Sequence, residues 1–511
     1  MRHPSRMSTT EIAVFAAYAT LLVGLSVFGI HRYAMALLYY RHKYALPTPL
    51  GRFEKAPRVT IQLPIFNEMY VTERLIDAVA RIEWPRESLE IQVLDDSTDE
   101  TQGIARACVE RHRAAGLDIH YVHRTNRQGF KAGALENGLA SATGELVAIF
   151  DADFVPPADF LRRAIPHFTD PKVGVVQARW GHINRDASLL AEVEAILLDG
   201  HFVIEHGARS RSGRFFNFNG TAGVWRRVAI EEGGGWQHDT LTEDLDLSYR
   251  AQMKGWRFVY LKDLVTPAEL PVEMNAFKAQ QHRWAKGSIQ VALKVLPALR
   301  RADLPAHVRR EGYLHLTANL AYLMMIPLAI LLPVTVVVRV SHGPLEVLLF
   351  DLPMFAMASV SVVAFYVASQ AEQGRTPWQR VKHIPMVMAV GIGLSVNQAR
   401  AVVEALMGYE TGFARTPKLG DGAARGGKPA RSLAQRSYRA AATFQPLVEL
   451  GLAAYMTYGV IFLLRREEYW SLPFLILFQI GYAYVGLLSV YEGLRGTVVR
   501  WARALAPAAA E

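Results

Sequence analysis

Hydrophobic and polar positions alternate between two regimes along this chain, and the switch points divide it. Residues 12–30 form a nearly unbroken apolar run, enough at about 1.5 Å per residue to span a ~30 Å hydrocarbon core. It ends in His31 and Arg32 rather than at a small-residue cleavage site, so no cleavable leader is expected. From about residue 52 to residue 310, short Val- and Ile-rich runs at 59–66, 89–96, 119–123 and 146–153 alternate with helical stretches. Runs of this kind that end in polar residues predict a parallel α/β sheet with functional loops at its carboxyl edge. Long apolar runs return at 314–338, 347–371, 444–464 and 469–491, each sufficient to cross a bilayer.

Residues 383–398 are apolar but short, and they continue beyond Arg400 as an amphipathic stretch. A helix lying at the membrane interface is predicted there rather than a sixth span. The neighbouring connections are basic: 372–382 carries Arg375, Arg380 and Lys382, and 399–442 carries Arg400, Arg415, Lys418, Arg425, Lys428, Arg431, Arg436 and Arg439 against Glu404, Glu410 and Asp421. An interfacial 383–398 leaves both connections on the cytoplasmic side with the α/β domain. The expected layout is an N-terminal transmembrane helix (1–45), a cytoplasmic α/β domain (46–310) and two transmembrane helices (311–371). A cytoplasmic interfacial helix and loop (372–442) and two further spans with a short tail (443–511) follow. Five spans put the N-terminus outside and the C-terminus inside an inner or plasma membrane.

Composition agrees with this layout. Of 511 residues, 51% are hydrophobic and 20% charged, and the long uncharged runs account for that balance. A net charge of +9 would point to nucleic acid in a soluble protein; here the cytoplasmic loops explain it, and no nucleic-acid partner is expected. The lone cysteine, Cys108, excludes an intrachain disulfide or a Cys-x-x-Cys metal knuckle and reads as a small buried apolar residue.

Four polar clusters lie in order within the α/β region: Asp95-Asp96-Ser97, Asp151-Ala152-Asp153, Thr242-Glu243-Asp244 and Gln280-Gln281-His282-Arg283-Trp284. Transfer of a sugar from a nucleoside diphosphate needs the leaving group's charge neutralised, commonly by a divalent cation on oxygen ligands. Two aspartates one residue apart at a strand end can turn toward one ion, which makes Asp151 and Asp153 candidates; in isolation such a pair is more often a turn or helix cap. An attacking hydroxyl needs a base, for which Asp244 is the candidate, although Thr242–Asp244 also reads as a helix N-terminus. Arg283 and Lys131 can pair with diphosphate, and either could equally be a surface cation. Trp284 offers a face for a sugar ring, or belongs to the core or an interfacial belt.

Taken together, these clusters resemble the D, DxD, TED and QxxRW signature of processive family 2 glycosyltransferases. The wording is similar to that of cellulose-synthase-like A and C proteins, which make mannan, glucomannan or glucan. Residues 92–99, 130–135, 148–154, 176–180, 218–225, 280–284 and 413–418 carry the resemblance. It implies a GT-A (Rossmann-like) α/β cytoplasmic domain beside an α-helical transmembrane domain, and an inverting enzyme using Mg2+ or Mn2+. Such an enzyme would polymerise UDP-glucose or GDP-mannose into a β-linked polysaccharide, with β-1,4 the expected linkage, exported across the bilayer, with room for accessory export subunits.

Carried over by position, the resemblance gives Asp244, with Glu243 and Thr242, the catalytic role. Pro64, Asn67, Glu68, Asp95, Asp96, Lys131, Asp151, Gln280, Arg283, Thr416 and Lys418 would bind the nucleotide-sugar donor. Trp284, Phe218, Asn219 and Gly220 would bind the growing glycan acceptor, and Asp153 with Asp151 the metal. Phe413-x-x-Thr416-x-Lys418 resembles a gating loop over the donor. Only residues 492–511 follow the last expected span, so no cyclic-di-GMP control domain is expected. The rival readings are a non-processive enzyme that glycosylates a ceramide or diacylglycerol lipid, and a transporter. The chain lacks the Walker A lysine loop of a nucleotide-driven transporter.

Overall fold

The structure is a computed structural model that describes residues 8–340, 354, 356–410, 418, 420 and 444–505. Its centre is a seven-stranded sheet in the order β3-β2-β1-β4-β6-β5-β7. The strands are β1 (Val59–Ile65), β2 (Leu89–Asp95), β3 (Ile119–His123), β4 (Leu146–Ile149), β5 (Val173–His182), β6 (Gly223–Arg226) and β7 (Arg257–Ala268). The four strands expected from the apolar runs are β1 to β4, and they pair in parallel. Strand β2 is buried at every position, and its polar residues Glu90 and Gln92 accept hydrogen bonds from Thr60 and Gln62 of β1, as buried polar groups must.

Three further strands, not marked by those runs, make the sheet a mixed one. Strand β6 runs antiparallel to both β4 and β5, while β5 and β7 are again parallel. These three strands carry weak local signals: β6 has four residues, and β5 is interrupted by Gly174, Gln177, Arg179 and Gly181. Long-range pairing decides their state. Strand β4 stops at Ile149, so residues 150–153 leave the sheet and project beyond its carboxyl edge.

Helices cover both faces of the sheet. Leu75 and Val79 of Thr72–Ala80 and Ala105 and Val109 of Thr101–Ala114 close one core, which also buries Cys108. Leu135 and Leu139 of Phe130–Ser141, Ala191 and Leu198 of Leu189–Asp199, and Leu247 of Glu243–Met253 close the other.

Among the described residues, four helices are long and apolar enough to cross a membrane: Thr9–Arg41, Ala306–Val338, Gln445–Arg465 and Leu472–Arg495. The expected span at 347–371 falls partly outside the described residues; its far end is the helix Ser361–Glu372. The stretch expected at the interface is a pair of helices, Pro377–Gly393 and Ser395–Leu406, bent by 41°. Val387 and Val390 of the first pack with Leu190 and Val193 of Leu189–Asp199 and with Phe277. Buried polar contacts converge on Glu311: it lies 3.0 Å from the His31 ring of Thr9–Arg41 and pairs with Arg209 of the α/β domain at 2.9 Å.

Candidate active site

Loops at the carboxyl edge of the sheet surround a cavity with about 1320 Å3 of space, part of it open to solvent. Pro64 at the end of β1, Asp96 after β2, Asp151 and Asp153 after β4, and Asn219 and Gly220 before β6 all line it. Thr242, Glu243 and Asp244 reach it from the start of Glu243–Met253, and Gln280, Arg283 and Trp284 from Met274–Arg301. Positions three and four apart share one helical face, so this last trio converges because of its spacing. Lys418 and Glu68 complete the set of expected residues that reach the cavity.

Lys131 holds the centre. It sits at the opening of Phe130–Ser141, where Gly129 has φ 71° and Phe130 φ 49°. A Cβ at Gly133 would stand 2.1 Å from the Gln128 carbonyl oxygen, so the Gly129-Phe-Lys-Ala-Gly133 wording is what lets the chain fold back here. The Lys131 ammonium donates to Asp151 at 2.5 Å and to the Gly220 carbonyl at 2.9 Å. Burial opposes its charge, but the carboxylates of Asp151, Glu243 and Asp244 outweigh that and hold its pKa above the usual lysine value.

Asp244 accepts the Leu245 N–H at 2.8 Å through one oxygen. Its other oxygen faces Gly220: a Cβ there would stand 3.0 Å from Oδ2, and Gly220 has φ 78°. Burial, then the charge of neighbouring Glu243, pushes Asp244 up to about 7, with Lys131 pulling the other way. Burial raises Glu243 also, against Lys131. A carboxylate poised near neutrality can take a proton at physiological pH.

Asp153 accepts from Lys418 at 2.6 Å, so each aspartate of the Asp-x-Asp pair faces an ammonium group. Among the described residues no three acidic, histidine or cysteine side chains cluster as a complete metal cage. Two carboxylate oxygens beside a diphosphate fit Mg2+ or Mn2+ nonetheless, because such ions are commonly held by one or two carboxylates plus substrate phosphates.

Three expected residues do not line the cavity. Asp95 is fully buried, its oxygens accepting the Ser97 N–H at 2.9 Å and the Tyr121 hydroxyl at 2.7 Å. Asn67, at φ 53°, donates its N–H to Ser97 and accepts the Thr98 N–H, joining the loops after β1 and β2. Phe218 lies in the core against Trp225. Each shapes the rim from behind. Thr416 and Phe413 lie outside the described residues.

Sequence reasoning missed Arg127, Glu194 and Glu269, which also line the cavity. Arg127 lies 3.3 Å over the Phe66 ring, and Glu269 pairs with Arg74 at 2.6 Å and accepts the Gly420 N–H at 3.2 Å. None belongs to a short motif. Trp180, another wall residue, does fall within the stretch 176–180 that carries the family resemblance.

The model of the "Glycosyltransferase like family 2" family matches residues 57–287. This region is a family 2 glycosyltransferase domain. It holds all seven strands and every motif of the cavity except Lys418. A glucomannan 4-beta-mannosyltransferase of Arabidopsis thaliana is 46% identical over 246 residues, 47% of this chain and 46% of the relative. One from Oryza sativa subsp. japonica is 42% identical over 293 residues, 54% of this chain and 56% of the relative. The chain thus spans about half the length of these relatives in the match. Among solved structures, the mannosyltransferase of Pyrobaculum calidifontis in complex with GDP-Man and Mn2+ superposes with a TM-score of 0.52 at 25% identity, covering 70% of this chain and 98% of that one. The glycosyltransferase domain therefore has a GT-A fold, joined here to helices fit to cross a membrane.

Proposed function

We propose that the protein is a membrane-embedded, inverting hexosyltransferase that moves mannosyl units from GDP-mannose onto the end of a growing β-1,4-linked glycan. One observation carries the reading: a single cavity unites a carboxylate poised at about 7, Asp244, with the paired carboxylates Asp151 and Asp153 and the cations Lys131 and Arg283. GDP-mannose is preferred to UDP-glucose because the relatives that match are mannosyltransferases and the solved neighbour holds GDP-Man.

In this reading Asp244 removes the proton from the acceptor hydroxyl. The freed oxygen bonds to the anomeric carbon as the bond from that carbon to the diphosphate oxygen breaks, so an α-linked donor yields a β-linked product. Lys131 and Arg283 receive the charge that gathers on the departing diphosphate, in a site where preorganised cations act strongly. A divalent ion held by Asp153 and Asp151 would add to that neutralisation when bound. Glu243 supports Asp244 by raising its basicity. Trp284 offers the acceptor ring an apolar face beside Asn219 and Gly220. The apolar helices next to the domain would conduct the lengthening glycan across the bilayer.

The test is nucleotide release by the purified full chain in detergent, with a panel of nucleotide sugars and Mn2+ or Mg2+, followed by linkage analysis. GDP-mannose should give GDP and a β-1,4-mannan, and chelation with EDTA should stop release until Mn2+ returns. Release from UDP-glucose alone would overturn the donor assignment, and a single glycolipid product the polymerisation.

A further inference from the structure

The helix Leu189–Asp199 forms one wall of the cavity and brings Glu194 to it. Glu194 is 1% exposed, and among the described residues neither carboxyl oxygen has a hydrogen-bond partner. Buried polar groups are nearly always paired, so two orphaned oxygens on a cavity wall call for a ligand. Other buried polar atoms on this cavity without a hydrogen-bond partner among the described residues include the Trp180 indole N–H and the Gln280 side-chain oxygen. Apolar surface surrounds them. Trp180 and Trp284 lie 6.4 Å apart at 57°, and Leu198 and Leu270 line the same cavity.

The chemistry of this set is distinctive. Indole offers a donor and the amide oxygen an acceptor. Burial pushes the Glu194 carboxyl well above the usual carboxylate range, with Lys418 opposing. A neutral carboxylic acid both donates and accepts, as does a sugar hydroxyl. Aromatic faces suit the C–H faces of a pyranose ring. A diphosphate would instead seek cations and avoid a carboxyl group. We propose that Glu194 is an acceptor-binding residue that recognises a hydroxyl of the incoming glycan's terminal sugar, in a subsite shared with Trp180 and Gln280. This rests on the glycosyltransferase reading above.

Glu194→Met and Glu194→Gln test it in the full-length protein. Both keep the side chain's length, and replacing an unpaired buried carboxyl should leave the thermal midpoint equal or higher. With GDP-mannose as donor and β-1,4-mannotetraose as acceptor, Glu194→Met should raise the acceptor KM at least tenfold. Glu194→Gln, which still donates and accepts, should stay within about threefold, and the GDP dissociation constant should not move in either. An acceptor KM within twofold of wild type for Glu194→Met overturns the proposal. So does a parallel loss of GDP binding or a lowered thermal midpoint, which would mark a structural residue. Wild-type protein that uses no nucleotide sugar at all would instead overturn the reading on which the subsite rests.

Discussion

At the scale of a residue, Asp244 concentrates the argument, because one environment sets both its chemistry and its cost. Burial and Glu243 raise its pKa to about 7. The base form is then lost as pH falls, so kcat/KM should drop about tenfold per unit below pH 7; a profile flat down to pH 5 would remove Asp244 as the base. Asp244→Asn should lower transfer by at least about 10²-fold, the low end of general-base contributions, while GDP binding persists. The same shift predicts a gain in stability. A carboxyl whose pKa is higher folded than unfolded destabilises the fold as pH rises between those two values, and the full penalty applies above the folded one. Asp244→Asn should therefore unfold at a higher temperature than wild type, most clearly above pH 7, in thermal melts across pH.

At the scale of an element, the helix Met274–Arg301 matters for how closely it approaches the Thr242–Asp244 loop. Gly287 permits that approach: a Cβ there would stand 2.6 Å from the Thr242 methyl and 2.7 Å from its hydroxyl oxygen. Thr242 is β-branched and stiff, so it has little freedom to yield. Gly287→Ala should cost about 1–3 kcal/mol by overpacking, and by shifting Asp244 against Arg283 and Trp284 it should lower kcat tenfold or more. Wild-type kcat and melting temperature together would show that the loop gives way freely. The helix positions were legible from the i, i+3, i+4 spacing of Gln280, Arg283 and Trp284; the role of Gly287, outside any motif, was not.

At the scale of the whole molecule, that helix also docks on the membrane region. Lys278 pairs with Glu449 at 2.6 Å, both side chains nearly inaccessible, and Glu492 accepts the N–H groups of Met274 and Asn275 at 2.6 and 2.9 Å. The chemistry and the apolar helices thus share one mechanical element. Glu449→Leu alone strands a buried ammonium and should cost on the order of 3–5 kcal/mol, whereas the double variant Lys278→Met, Glu449→Leu should recover most of it. Thermal unfolding in detergent measures both. Additive losses in the double variant would mean that the pair contributes through packing rather than charge.

The division between sequence and structure follows from the range of the forces involved. Short Val- and Ile-rich runs marked β1, β2, β3 and β4, and long continuous apolar runs marked the long helices, because both leave a local record in the sequence. Motif wording brought Asp151, Asp153, Asp244, Arg283 and Lys131 into view for the same reason: each cluster is contiguous or helix-spaced. The antiparallel β6 and its neighbours β5 and β7 were decided by pairing partners far away in the chain. Only the tertiary structure turned Asp95, Asn67 and Phe218 away from the cavity and brought Glu194 into it. Whether a polar side chain meets a partner, a ligand or the core depends on what the rest of the fold places opposite it, and no local pattern encodes that.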